Sequence, residues 1–411
     1  MLNVNNTPES ECYGCEGCSQ ICPKHCISMT KNDRGFYIPI VDESKCIECK
    51  QCIKVCPMRN DIKKNKLLEA YAMVSNNINK DDKSTSGGIF YLLGEETIKR
   101  NGVVIGVEWN DELVAAHCIV TTKSELKKIK GSKYVQSRIN DIFKKTRDFL
   151  IEKKIVLFSG TACQIAGLKL FLKKEYENLI CVEVACHGVP SPGLFKKYLN
   201  YIEKKENNKI IGFSFRNRDK HLSGEHFMSK ISFENGKKKY NYFRDDFYYN
   251  PFINGTSLRK SCYKCKFKGK EKNCDILLSD FWGIDIEYPN FPAKYGASAV
   301  IVYSEKGNNL INSILKNVVF EKVDAEKIFK HNKSMIEQTN VENVKLYENL
   351  SEDDEVFFEK IFVKNNNIQK VKKIIDIYFP AKIKYKLKRI IGKRSSNWYD
   401  CIRYFIIFNN F

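Results

Sequence analysis

Eight cysteines in the first sixty residues carry the clearest chemistry in the chain. They fall as Cys12-x2-Cys15-x2-Cys18-x3-Cys22-Pro23 and Cys46-x2-Cys49-x2-Cys52-x3-Cys56-Pro57. Three thiolates so closely spaced hold one 4Fe-4S cube, and in a doubled run the fourth reaches over to the other cube. The expected ligand sets therefore cross: Cys12, Cys15, Cys18 and Cys56 for one cluster, Cys46, Cys49, Cys52 and Cys22 for the second. Pro23 and Pro57 end each turn and leave neighbouring N–H groups free to point at cluster sulfurs. The competing readings are structural zinc sites or a disulfide framework. Zinc modules show two close cysteines and then a long gap, not four in a row twice. Cys26 stands outside both runs and reads as a small buried hydrophobe.

Further along, Cys163 and Cys186 each follow an apolar run, Lys154-Ile155-Val156-Leu157-Phe158 and Leu179-Ile180-Cys181-Val182-Glu183-Val184. Each run is followed by a helical pattern. Such a strand-helix-strand-helix unit puts both thiols at the carboxyl ends of adjacent parallel strands, where these sheets collect ligands. Cys262-x2-Cys265 is a weak signal alone, but with Cys163 and Cys186 it completes four thiolates and a candidate third 4Fe-4S cluster. Cys181 reads as core. Cys274 is a spare.

Two loops could serve an anionic cofactor. Ser84-Thr85-Ser86-Gly87-Gly88 opens a helix at Ile89 and offers N–H groups and hydroxyls that suit a phosphate or pyrophosphate, though an ordinary capped helix start reads the same way. Gly131-Ser132-Lys133-Tyr134 combines a glycine, a cation and a ring, which fits a flavin and its phosphates or, equally, a solvated loop. His187, His221 and His226 are candidate proton donors that read more simply as hydrogen-bonding residues around a site.

The elements that must position these groups belong to the α/β (α+β) class. A small module over 1–60, covered by a short strand at 35–41, precedes a polar linker. An α/β domain follows over 68–305, with strands at 71–74, 103–109 and 113–121, a strand ending in a turn over 276–283, a further strand at 299–303 and a hairpin across Asn235-Gly236. Residues 306–411 read as a helical extension. Its stretch 364–403 carries twelve Lys or Arg against Asp376 and Asp400, interleaved with apolar residues. Such a tail lies on an anionic membrane, grips an acidic partner or packs on its own protein.

Taken together, the motifs Ser84-Thr85-Ser86-Gly87-Gly88, Gly131-Ser132-Lys133-Tyr134, Gly160-Thr161-Ala162-Cys163-Gln164, Cys186-His187-Gly188-Val189-Pro190, Ser261-Cys262-Tyr263-Lys264-Cys265 and Ser279-Asp280-Phe281-Trp282-Gly283 resemble the coenzyme F420 hydrogenase/dehydrogenase beta-subunit family. The module in front resembles bacterial two-cluster ferredoxins. The resemblance spans roughly residues 8–305. It implies FAD beside the iron-sulfur centres, with electrons passing between clusters and a hydride-level substrate. By similarity, Cys163, Cys186, Cys262 and Cys265 hold the third cluster, and Ser86, Gly87, Gly88, Ser132, Lys133 and Tyr134 contact the flavin. Where the family often has Gly-Thr-Pro-Cys, this chain has Ala162 before the thiol.

Composition sets the frame. The 411 residues carry 69 basic against 49 acidic side chains, a net +20, with 17 cysteines. With no leader-like start and no apolar stretch near the ~20 residues a spanning helix needs, the reading is a reducing cytoplasm with cysteines serving metal. The surplus charge favours acidic partners, and no nucleic-acid module is recognisable. Two functions fit. One is an iron-sulfur flavoprotein oxidoreductase working with a redox carrier such as ferredoxin or a hydride carrier. The other is an electron-transfer adaptor feeding a partner enzyme, with surface-polysaccharide biosynthesis as a candidate pathway.

Overall fold

The computed structural model describes residues 3–78, 84–217, 228–339, 350, 353 and 356–358; His221, His226 and the basic stretch 364–403 lie outside them. The N-terminal unit is small, two cysteine-bearing turns around a core of Val4, Cys22, Cys26, Ile27, Val41 and Cys52. Helices α1 (Gly17–Ile21) and α2 (Gln51–Lys54) each sit inside one cysteine run. Between them β1 (Ile27–Lys31) pairs antiparallel with β2 (Tyr37–Val41). Pro39 is tolerated there because a two-stranded ribbon has an open edge on each strand.

The larger unit is mixed α/β. In chain order its elements are β3 (Glu69–Ser75), α3 (Ile89–Lys99), β4 (Val103–Trp109), β5 (Ala115–Val120), α4 (Ile142–Ile151), β6 (Val156–Gly160), α5 (Ala162–Leu172), β7 (Leu179–Val184) and α6 (Pro192–Glu206). They continue as β8 (Ile210–Asn217), β9 (Met228–Phe233), β10 (Lys238–Tyr242), α7 (Tyr249–Ile253), β11 (Ile276–Asp280), α8 (Ile284–Glu287), β12 (Ser298–Val302), α9 (Glu305–Ile314), β13 (Val318–Lys322) and α10 (Ala325–His331). Eight strands form one sheet in the order β13-β3-β12-β11-β7-β6-β4-β5. Its centre, β11-β7-β6-β4, is parallel.

Helices cover both faces, so central strands are apolar on both sides and read as unbroken runs. In β6, Val156 and Phe158 pack with α4 and α5 residues such as Phe143 and Leu168, while Leu157 packs with Leu93 of α3 on the other face. A second sheet, β10-β9-β8, is antiparallel and is closed by α6 and α7 over an aromatic core of Tyr198, Phe213, Phe215, Tyr248 and Phe252.

The stretch after 305, expected as a helical extension, carries α9 and α10 and between them adds a strand to the main sheet. β13 pairs with β3 from Val318↔Ser75 to Lys322↔Tyr71. Only Val318 of its five residues is buried. An edge strand so exposed has no alternation to betray it.

Candidate iron-sulfur centres

The two N-terminal cysteine sets line two cavities. Cys12, Cys15, Cys18 and Cys56 border one of about 400 Å³. Cys22, Cys46, Cys49 and Cys52 border the other, of about 380 Å³. The crossover of the fourth cysteine follows from α1 and α2 packing side by side, each run ending beneath the other's turn. Backbone N–H groups donate to the sulfurs, as Gly14 does to Cys12 at 3.3 Å. Those following Pro57, on Met58 and Arg59, donate to Cys56. As thiols Cys15 and Cys18 resist ionisation, since burial pushes Cys15 up to about 12 and Cys18 well above its usual value. An ionised sulfur there requires the compensating charge of iron. Among the described residues no three such side chains converge on a point as they do around a single ion. A cube bound at separate corners does not require it.

The module is bolted to the α/β domain by contacts more than a hundred residues apart. Glu16, inside the first cysteine run, is almost fully buried, and its carboxylate accepts from Arg138 Nε at 2.7 Å and from the Ile139 and Asn140 N–H groups. Gln20 Oε1 accepts from Phe143 N at 2.9 Å, so the small unit caps the start of α4. Arg259 donates to three oxygens at once: Cys12 O at 2.5 Å, Gln136 Oε1 at 2.9 Å and Tyr37 O at 3.0 Å. Gln136 in turn donates to Tyr13 O at 2.9 Å. The linker is also held. Asn65 and Lys272 exchange backbone hydrogen bonds of 2.7 and 3.1 Å.

Cys163, Cys186, Cys262 and Cys265 line a third cavity of about 640 Å³. β6 and β7 are parallel neighbours, so Cys163 in the first turn of α5 and Cys186 just past β7 reach the same sheet edge. Cys262 is brought to Cys186 by a bridge between Pro190 and Leu258. Cys265 is clamped through its backbone N–H and carbonyl by the Gln338 amide at 3.0 and 2.9 Å. Burial drives Cys262 up to about 12 and Cys163 well above its usual value. Ala162 occupies the first helical position, where proline is favoured, and the turn is secured instead by Gln164 Oε1 accepting from Thr161 N at 3.0 Å. Cys274 is fully buried in the core beside Leu277 and does not line the cavity.

Tyr13 borders both the Cys12 set's cavity and the third one. Its ring packs on Phe267 at 5.3 Å between centroids, and its hydroxyl accepts from Lys266 N at 3.2 Å. Glu183 and Lys272, both nearly inaccessible, form a 3.2 Å ion pair on the wall of the third cavity. His187 lines it too; burial lowers its imidazole to about 4. Sequence reasoning missed Glu16, Gln136, Arg259 and Lys272. Their partners are distant in the chain, and no local spacing signals them.

The two loops considered for a flavin meet. Thr85 Oγ1 lies 2.8 Å from Ser132 Oγ and accepts from Ser132 N at 2.8 Å. Individual residues have other tasks as well. Gly87 lies so close to β3 and β12 that a Cβ would stand 2.4 Å from Met73 O, and its N–H donates to Ser298 Oγ. Gly88 takes positive φ at the start of α3, and Ser86 Oγ donates to Ala297 O. Lys133 Nζ donates to the carbonyls of Lys128 and Lys130, and burial lowers its amine to about 8. Tyr134 turns away into the aromatic core, stacked on Phe252 at 4.8 Å.

Comparison with known proteins agrees with this layout. Residues 11–60 match a 4Fe-4S dicluster domain, as do residues 38–88 in a second, overlapping match. Residues 153–328 match the C terminus of the coenzyme F420 hydrogenase/dehydrogenase beta subunit. No curated protein matches the chain. Fold and cysteine frame together define an iron-sulfur electron-transfer protein. Residues 153–328 are thus similar to the C terminus of that beta subunit, with a dicluster module ahead of them. Among solved structures, a chain of the F420-reducing NiFe hydrogenase complex from Methanosarcina barkeri is similar over 68% of this chain and 92% of that one. The identity is 16% and the TM-score 0.44.

Proposed function

We propose that the protein is an iron-sulfur flavoprotein oxidoreductase of reducing, cytoplasmic surroundings. In this reading the Cys12 and Cys46 sets hold two 4Fe-4S clusters, Cys163, Cys186, Cys262 and Cys265 hold a third, and the α/β domain binds FAD. Clusters supply single electrons and a flavin combines two of them at hydride level. The chain's own part is to hold the centres in fixed order and keep water from them. The observation that carries the reading is the convergence of four cysteines from three separate segments on one cavity, with Tyr13 bordering both it and the Cys12 set. The meeting of Thr85 with Ser132 supports a flavin phosphate site there, with Lys133 supplying charge at the loop rather than a direct contact.

A second reading is an electron-transfer adaptor working with a partner enzyme. It is favoured by the family description itself, which is that of a beta subunit. Iron, acid-labile sulfide and flavin per chain, measured on protein purified without oxygen, separate the two. About twelve irons with one FAD are expected for three clusters and a flavin. About eight irons and no flavin overturn the flavoprotein reading and leave the adaptor.

A further inference from the structure

Cys26 is one thiol more than a four-cysteine set needs, packed in a small core with Val4, Ile27 and Val41. Its Sγ is 3.4 Å from that of Cys22, both residues are buried, and both line the cavity that Cys46, Cys49 and Cys52 complete. The turn that achieves this is short. His25 N donates to Cys22 O at 3.2 Å and His25 itself takes positive φ, 49°, so the chain folds back and delivers Cys26 beside Cys22 just before β1 begins. Cys26 O then accepts from Asp42 N at 2.8 Å, which pins the turn to the far end of β2.

The other half of the module has the same frame without the spare thiol. The residue four beyond Cys56 is Asn60, whose amide donates to Ile53 O at 2.7 Å and Cys56 O at 2.9 Å. A turn of this kind is thus completed by an amide, and a cysteine in its place is a departure. It occurs at the set that includes Cys49, the only exposed cysteine among the described residues. A cluster reached by solvent is the one most open to attack and loss of a ligand.

We infer that Cys26 is a reserve ligand of the Cys22/Cys46/Cys49/Cys52 cluster, able to take the corner of Cys22. The exchange is a ligand substitution with no change of oxidation state: the iron–sulfur bond to Cys22 breaks, one to Cys26 forms, and the proton of the Cys26 thiol passes to the released Cys22 sulfur. With the sulfurs 3.4 Å apart, neither backbone turn has to unfold. The inference concerns only the dicluster module and does not depend on the flavin or the third cluster.

Iron and sulfide content of variants purified without oxygen tests it, with each loss read against wild type so that the number of clusters elsewhere does not enter. Cys22→Ala is expected to keep wild-type iron, while Cys46→Ala and the double variant Cys22→Ala/Cys26→Ala each lose about four irons per chain. Electron paramagnetic resonance of the reduced Cys22→Ala protein should show a shifted four-iron signal, since one ligand arrives from a different turn. Cys26→Ala alone should keep its iron and its wild-type signal. The inference is overturned if Cys22→Ala loses as much iron as Cys46→Ala, if it is insoluble where Cys46→Ala is not, or if Cys26→Ala alone loses a cluster.

Discussion

His117 shows how far the interior departs from water. It lies in β5 with Nε2 3.0 Å from Ser159 O and Nδ1 3.2 Å from Ser137 Oγ, stacked on Phe158, and burial lowers its imidazole to about 4. Ser137 Oγ also accepts from Gln164 Nε2 at 3.0 Å, which links the ring to the start of α5. Below the ordinary histidine value of 6.5 the unfolded chain takes up a proton that the folded chain refuses until about 4. Stability from this group is therefore complete above 6.5 and is lost as pH falls through that window. The expected loss between pH 7 and pH 5 is about 2 kcal/mol. Denaturant midpoints at the two pH values should differ more in wild type than in His117→Gln.

Glu16 makes a second prediction at this scale. Its carboxylate is buried with four donors, so Glu16→Ala leaves the Ile139 and Asn140 N–H groups without their acceptor and Arg138 without its ion pair, a loss of about 1–3 kcal/mol. A fall in thermal midpoint with iron still bound is expected, since Glu16 ligates nothing. Loss of iron with no change in midpoint would contradict that role.

Among the elements, α5 does two jobs. It carries Cys163 at its start, and one turn on it presents Gly167 to the dicluster module so closely that a Cβ would stand 2.9 Å from Cys15 Sγ. A sulfur bound to iron cannot swing aside. Gly167→Ala should therefore push the module off α5, at about 1–3 kcal/mol, and alter the resonance signal of the cluster proposed for the Cys12, Cys15, Cys18 and Cys56 set while leaving iron content unchanged. An unchanged signal would mean that α5 does not set that cluster's surroundings. This is also the scale at which the sequence is easiest to read. Cysteine runs and the strands around Phe158 and Val182 are local patterns, and their consequences are local. Cys26 escaped as a neighbour of Cys22 because a positive-φ histidine between them is invisible in composition. The aromatic Tyr134, grouped by motif with Ser132 and Lys133, went instead to the core that Phe215 and Phe252 build around it. Gly87 looked like a phosphate-loop glycine, and the crowding by β3 and β12 gives it an independent reason to be glycine.

For the whole molecule, hydrogen bonds tie the two units together among the described residues. Glu16, Gln20, Gln136 and Arg259 tie the module at several points. Among the described residues no helix is long and apolar enough to cross a membrane. Limited proteolysis of the iron-loaded protein should leave the segment between residues 60 and 69 uncut, because Asn65 is paired with Lys272 and Leu68 N donates to Val302 O. Release of an N-terminal fragment of that size at early times would show that the pairing opens.

That pairing has a consequence for speed. A carrier module on a free tether must diffuse between docking positions, and its rate falls as the medium thickens. Here Asn65 is held against Lys272 and Lys64 Nζ donates to Lys266 O at 3.2 Å, so the tether has no slack to swing through. Electron passage from one unit to the other should then be indifferent to added glycerol or sucrose, while encounter with any external partner slows in proportion to viscosity. Rapid-mixing experiments across a viscosity series would separate the two phases by that dependence alone.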